Sequence, residues 1–216
     1  DGPAGAGKST IARMLARELN YIYVDTGAMY RAMALYMIEH KIDVSHLDEV
    51  GSACDAITID IQYSAGEQQV ILNGKNVNDF IRTETVSEMS SKISAIPEVR
   101  EKLLSLQRSL AAAENVIMDG RDIGTHVLSN ADVKIFLTAD AHVRAVRRYE
   151  EFIAKGVSCT LENVEREVIE RDERDMNRAI APLKQAEDAV RVDTSAMTIE
   201  EVVCYLKNLI GQAVAR

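Results

Sequence analysis

The opening of the chain limits its fold more than any other stretch. Gly2-Pro3-Ala4-Gly5-Ala6-Gly7-Lys8-Ser9 matches G-x-x-x-x-G-K-[ST] in full. Such a loop turns several backbone N–H groups toward one phosphate, a conformation that a Cβ would obstruct. The following helix aims the positive end of its dipole at the same place. By that geometry Lys8 reaches the β- and γ-phosphates and Ser9 ligates Mg²⁺. A chance glycine-rich turn is the alternative, but a clear amphipathic pattern follows directly, with Ile11, Leu15 and Leu19 on one stripe beside Met14. A loop of this kind normally leaves the end of a buried strand, so its position at Asp1 implies an upstream strand lost from this chain.

The rest of the pattern alternates strands with helices. Residues 21–25, 115–119, 133–138 and 189–193 read as buried strands, each followed by a helical pattern. This predicts an α/β fold with a parallel sheet covered by helices on both faces. Residues 28–39 are helical, with Met29, Met33 and Met37 as a core stripe, and 98–113 are helical again. Residues 56–73 alternate with period two around Gly66 and end on Asn73-Gly74, which predicts a small antiparallel insert. Residues 142–178 read as a charged helical arm broken near Gly156.

Composition excludes several classes. The 216 residues carry 34 acidic and 25 basic side chains, a net charge of −9, which disfavours nucleic acid and anionic membranes. No stretch approaches the roughly 18–20 apolar residues of a membrane span, and no signal peptide is visible. Cys54, Cys159 and Cys204 lack metal-ligand spacing and read as core thiols in a reducing cytosol. The four histidines show no ligand spacing either. No coiled-coil heptad or other association motif stands out, so a monomer is expected. A GTP switch would carry an Asn-Lys-x-Asp motif, which is missing, and motor or transporter ATPases are usually larger.

A second anion site is suggested by arginines. Arg31 lies in the first turns of a helix entered through Asp25-Thr26-Gly27, where it opposes the dipole unless an anion sits beside it. Thr26 is either a helix cap or a ligand. Asp119 ends a strand, where an outer-sphere magnesium residue fits, and Gly120-Arg121-Asp122-Ile123-Gly124 is either a polar turn or a ligand loop. Arg171, Arg174, Asp175 and Arg178 fall at i, i+3, i+4 and i+7 on one helix face. Such a run is either a solvated face or a set of forked donors for phosphate. Arg144, Arg147 and Arg148 read as exposed helix charge, with contact to the nucleotide as the alternative for some of them.

Taken together, DGPAGAGKST, DTGAMYR, IRTETVS with IPEVR, MDGRDIGT, VKIFLTA and RDERDMNRAIAPL followed by VDTS resemble the bacterial cytidylate kinases, within the nucleoside monophosphate kinases. The resemblance spans nearly the whole chain in the family's order. It implies a P-loop NTPase fold: a five-stranded parallel sheet with helices on both faces, an antiparallel β insert in the acceptor-binding domain, and a helical lid. The core would comprise 1–27, 107–148 and 183–216, the acceptor domain 28–106 and the lid 149–182. ATP with Mg²⁺ would bind at Gly2, Pro3, Ala4, Gly5, Ala6, Gly7, Lys8, Ser9 and Thr10. Arg31, Arg121 and Arg178 would hold the acceptor phosphate, with Lys8, Arg121 and Arg178 catalytic. Ser91, Arg100 and Asp122 would meet cytosine, Asp175 the ribose, Arg171 and Arg174 would lie near it in the lid, and Thr26 would contact the acceptor. The family phosphorylates CMP and dCMP and is cytoplasmic.

Two chemical arguments stand beside the resemblance. A carboxylate accepts from the cytosine N4 amino group but faces an acceptor on uracil, while arginine donates to cytosine N3 and O2. A phosphate monoester is also largely ionised at neutral pH, so arginines rather than a general base are what a phosphate acceptor needs. The rivals are a kinase of UMP or of a hydroxylated metabolite, and a nucleotide-binding regulator without catalysis.

Overall fold

The computed structural model describes residues 1–214. The chain divides into two compact units, one of Asp1–Leu15 with the chain from Gly120 onward, the other Ala16–Asp119. Helix α1 (Lys8–Leu19) contributes residues to both.

In the second unit, β1 (Ile22–Asp25) and β5 (Val116–Asp119) pair in parallel, with Asp25 opposite Asp119. Between them run α2 (Thr26–Glu39), α3 (Leu47–Ala56), an antiparallel sheet of β2 (Ile59–Ser64), β3 (Glu67–Leu72) and β4 (Lys75–Asn76), then α4 (Glu84–Ile93) and α5 (Pro97–Ala113). The predicted insert is therefore present. Both of its hairpins turn on two residues with positive φ: Ala65 at 52° and Gly66 at 78°, Asn73 at 47° and Gly74 at 82°. That backbone matches the twist of the strands it joins. Helix α2 is buried nearly all round: Met29, Met33 and Met37 are each 0% exposed and pack with Val24, Val70, Ile93 and Leu103. This is the expected core stripe. Helices α3 and α4 were not anticipated. Helix α3 carries Gly51 and only three buried residues, Val50, Ala53 and Cys54, so its periodic signal is weak.

In the first unit β6 (Ile135–Thr138) and β7 (Val190–Asp193) pair in parallel. Asp1 lies alongside β6: its backbone nitrogen donates to the Ile135 carbonyl at 2.8 Å, and its own carbonyl accepts from Leu137 N–H at 2.8 Å. Helices α6 (Ala141–Ala154) and α7 (Leu161–Asn177) form a hairpin around Ala145, Val164 and Val168, and α8 (Ile199–Val214) follows β7. The break at Gly156, φ +74°, lies where expected.

Among the described residues the parallel strands form two pairs and the insert a separate antiparallel sheet, an α/β fold with mixed small sheets. Strand β5 does not lead into an α-helix. A single π-type turn, Ile123–Val127, follows it, and the Asp1 carboxylate accepts from the Ile123 and Gly124 N–H groups at 2.9 and 2.7 Å. The three thiols are free, but only Cys54 is buried, and burial pushes its pKa up. Cys159 is half-buried and Cys204 exposed, so the expectation of three core thiols fails for these two. No helix among the described residues is long and apolar enough to cross a membrane.

Candidate active site

The phosphate loop runs from Gly2 into α1. Gly2 has φ +144°, and a Cβ there would lie 1.9 Å from the Leu137 carbonyl oxygen, so no other residue fits. A loop that turns its N–H groups inward turns carbonyls outward, and these need donors. Lys8 Nζ donates to the Pro3 carbonyl at 2.7 Å, and Arg144 donates to that of Ala4 at 3.0 Å. Ser9 and Thr10 follow Lys8 in the first turn of α1.

Arg144 was expected to be an exposed helix charge. It is instead buried: it also donates through Nε to the Ala139 carbonyl at 2.8 Å and pairs with Asp172 of α7 at 2.6 Å. The other oxygen of that carboxylate, Asp172 Oδ1, is buried without a partner among the described residues. Arg147 donates to the Thr194 hydroxyl at 3.2 Å and carbonyl at 2.7 Å, while Arg148 lies 4.8 Å from the Phe152 ring centroid. The reason is packing: α6 lies against α7, which brings Asp172 to Arg144, while Arg147 reaches Thr194 just after β7.

The turn after β5 and the end of α7 are joined by two ion pairs. Arg121 Nε donates to Asp175 Oδ2 at 2.9 Å, and Arg178 donates to Asp122 Oδ1 at 3.2 Å. Burial acts to raise the Asp175 pKa, but Arg121, by charge and hydrogen bond, and then Arg171 and Arg178 outweigh it, and the carboxyl lies below its usual range. The predicted helical stripe needs correction at its end. Helix α7 stops at Asn177, and Arg178 is extended, φ −64° and ψ 140°, with Nε on the Ala181 carbonyl at 2.7 Å. Asp175 is buried, Arg171 half-buried and Arg174 exposed. Thus Arg121, Asp122, Asp175 and Arg178 come together, while Arg174 is turned to solvent.

In the second unit the cap of α2 is Asp25 rather than Thr26. Asp25 Oδ1 accepts from Ala28 N–H at 2.9 Å, and Thr26, already in the helix, donates its hydroxyl to the Asp119 carbonyl at 2.8 Å. Arg31 pairs with Asp25 Oδ2 at 3.0 Å, which relieves its conflict with the dipole. Its Nε is buried without a partner among the described residues. Asp119 is buried and accepts from the Tyr23 hydroxyl at 3.1 Å. Arg100 is buried on α5 and donates to the Ser94 carbonyl at 3.1 Å. Ser91 Oγ, on α4, is likewise buried with no described partner.

The cytidylate kinase profile matches residues 1–212. The cytidylate kinase of Carboxydothermus hydrogenoformans is 50% identical over 214 residues, covering 98% of this chain and 96% of its own. That of Lactobacillus johnsonii is 47% identical over 210 residues, covering 97% and 91%, and that of Bacillus cytotoxicus 44% over 216, covering 100% and 96%. The chain belongs to the cytidylate kinase family. It is therefore an ATP-dependent phosphotransferase, with the P-loop nucleoside monophosphate kinase fold which that family implies.

Asp25 and its partners Gln68 and Arg82 receive no role from the sequence motifs, and Arg144 reads there as exposed charge. Asp25 was visible as an acid directly before a helix, but it was read as the end of a strand. Arg144 carried no local signal, because its partners Ala4 and Asp172 are far away in the sequence.

Proposed function

We infer that the chain transfers the γ-phosphoryl group of ATP to CMP or dCMP, giving ADP and CDP or dCDP. Family membership supports the reaction, and one observation supports the assignment of residues: Arg31, Arg121 and Arg178, the arginines assigned to the acceptor phosphate, are each held by a carboxylate. The finer architecture, a continuous five-stranded parallel sheet with an acceptor domain at 28–106 and a lid at 149–182, rests on the family.

In this reading the loop Gly2–Thr10 cradles the ATP phosphates, and Lys8 leaves the Pro3 carbonyl for the β/γ bridge. Among the described residues no three His, Cys, Asp or Glu side chains form a metal cage. The Ser9 hydroxyl and an outer-sphere Asp119 carboxylate suit Mg²⁺, which takes few protein ligands and keeps water and phosphate oxygens. When bound, Mg²⁺ supplies countercharge to the β- and γ-phosphate oxygens. Arg31, Arg121 and Arg178 hold the acceptor phosphate, whose oxygen is already ionised and needs no base. Ser91, Arg100 and Asp122 read the base, Thr26 contacts the acceptor, Asp175 the ribose, and Arg171 and Arg174 lie nearby on α7. Asp122 and Asp175 are held by arginines before any ligand arrives, so their oxygens are already oriented.

Coupled ADP release measured with CMP, dCMP, UMP, AMP and a hydroxy acid tests the reaction. CMP and dCMP are expected to lead, with UMP about tenfold or more behind, given about 1–3 kcal/mol for each buried polar group left unpaired by the wrong base. Strong turnover with an unphosphorylated acceptor overturns the reading. Asp122→Ala is expected to lower the CMP-over-UMP ratio about tenfold while leaving ATP affinity unchanged, and an unaltered ratio removes Asp122 from base reading.

A further inference from the structure

The antiparallel insert meets β1 by side chains. Tyr63 of β2 donates its hydroxyl to the Tyr23 carbonyl at 3.2 Å. Gln68 of β3 is buried and grips Asp25 twice: its Oε1 accepts from Asp25 N–H at 2.9 Å, and its Nε2 donates to the Asp25 carbonyl at 3.2 Å. Tyr23 and Asp25 alternate along β1, so both present their backbone groups to the side away from β5. Gln68 is itself fixed, because Asn78 donates to its carbonyl at 2.8 Å and accepts from Val70 N–H at 2.9 Å.

What Gln68 holds in place is an acid with three partners. Asp25 Oδ1 caps α2, while Oδ2 accepts from Arg31 at 3.0 Å and from Arg82 at 3.3 Å. The Asp25 side chain is 7% exposed and that of Arg82 56%. Two guanidinium groups thus converge on one carboxylate oxygen and leave a net positive charge. Arg82 keeps its remaining donors toward solvent, and Arg31 Nε has no described partner. A carboxylate neutralises one arginine, and the second calls for another anion. Forked donors on adjacent arginines suit phosphate oxygens.

We propose that Gln68 is a positioning residue for the acceptor: it fixes Asp25, which gathers Arg31 and Arg82 into a two-arginine clamp for the acceptor's phosphate. Arg82 is then a binding residue beside Arg31. The proposal rests on the reading that Arg31 takes that phosphate, and it gives the insert a task in substrate binding. Loss of Gln68 removes both side-chain bonds to the Asp25 backbone, so the end of β1 can shift and carry the carboxylate and its two guanidinium groups with it.

The test compares Gln68→Met, which keeps length and loses both hydrogen bonds, with Arg82→Gln and with Arg31→Met as a control. Dissociation constants are measured for CMP and ATP by calorimetry and for cytidine by competition. Gln68→Met is expected to weaken CMP about fivefold to tenfold, and Arg82→Gln about fivefold, with ATP and cytidine within about twofold. The lost preference for CMP over cytidine is what a merely structural role does not produce. Equal weakening of all three ligands, or CMP binding unchanged in Gln68→Met while Arg31→Met weakens it, overturns the proposal. If Arg31→Met also leaves CMP binding unchanged, the reading of Arg31 fails instead. Should Gln68→Met lose its cooperative melt, the exposed Arg82→Gln decides, and unchanged CMP affinity there rejects the clamp.

Discussion

The two units treat their arginines differently. In the unit built from the phosphate loop and the chain beyond Gly120, three arginines each meet a different carboxylate, Arg144 with Asp172, Arg121 with Asp175 and Arg178 with Asp122, and the charges of Arg171 and Arg178 also act on Asp175. In the unit of 16–119, Asp25 alone serves Arg31 and Arg82. Groups held in separate pairs are oriented in advance. A two-to-one cluster keeps attraction in hand for an incoming anion. The same residue types therefore stand in two arrangements, and the two-to-one cluster is the one we propose for an incoming phosphate.

The sharpest way to break this comparison is at the buried pair. Asp172→Ala leaves Arg144 charged beside the phosphate loop, and loss of one partner of a buried pair costs about 3–5 kcal/mol. Urea denaturation is expected to show this loss, and the double change Arg144→Met with Asp172→Leu to recover most of it. A single variant as stable as wild type would show that the pair holds nothing.

Next in size is the arginine after α7. Arg178→Ala is expected to reduce kcat with CMP about a hundredfold, the scale of one preorganised donor lost from a transition state, and also to lower the melting temperature, because Asp122 loses a buried partner. An unaltered rate would leave Arg178 a structural partner of Asp122 and Ala181 only.

The Asp175 pair predicts a pH dependence. A carboxyl whose pKa is lower folded than unfolded stabilises the protein above the unfolded value, near 3.8, and that contribution fades as pH falls through the folded pKa. The stability gap between wild type and Asp175→Asn is therefore expected at pH 6 and should close below about pH 4. A gap that persists in acid would mean that shape rather than charge separates the two proteins.

The smallest effect belongs to the insert. Burial pushes the Tyr63 phenol up to about 12. A group whose pKa is raised by folding stabilises while protonated, so the contribution is present below pH 10 and is lost as pH rises from there through 12. Tyr63→Phe should remove that alkaline loss and cost about 1 kcal/mol near neutrality, from the bond to the Tyr23 carbonyl. Parallel alkaline melting curves for the two proteins would refute it.

Local patterns were legible in the sequence, and distant partnerships were not. The phosphate loop, the methionine stripe of α2 and both hairpins follow from rules that act over a few residues. Arg178 was placed on a helix face because spacing continues past the point where the backbone leaves the helix, at Asn177. Arg144 was read as solvated because nothing nearby in the sequence announces Asp172 or the Ala4 carbonyl. Thr26 was read as a possible cap because both it and Asp25 suit that role, and the choice between them depends on where β1 ends. The family motifs point to the arginines but not to the carboxylates that hold them.

The side chains that cross from the insert to β1 have one more effect. A strand paired on one side leaves a row of N–H and C=O groups that another molecule's strand can join. Here Tyr63 occupies the Tyr23 carbonyl, and Gln68 occupies both backbone groups of Asp25. A stray strand would have to evict a phenol and an amide before it could add at Tyr23 and Asp25.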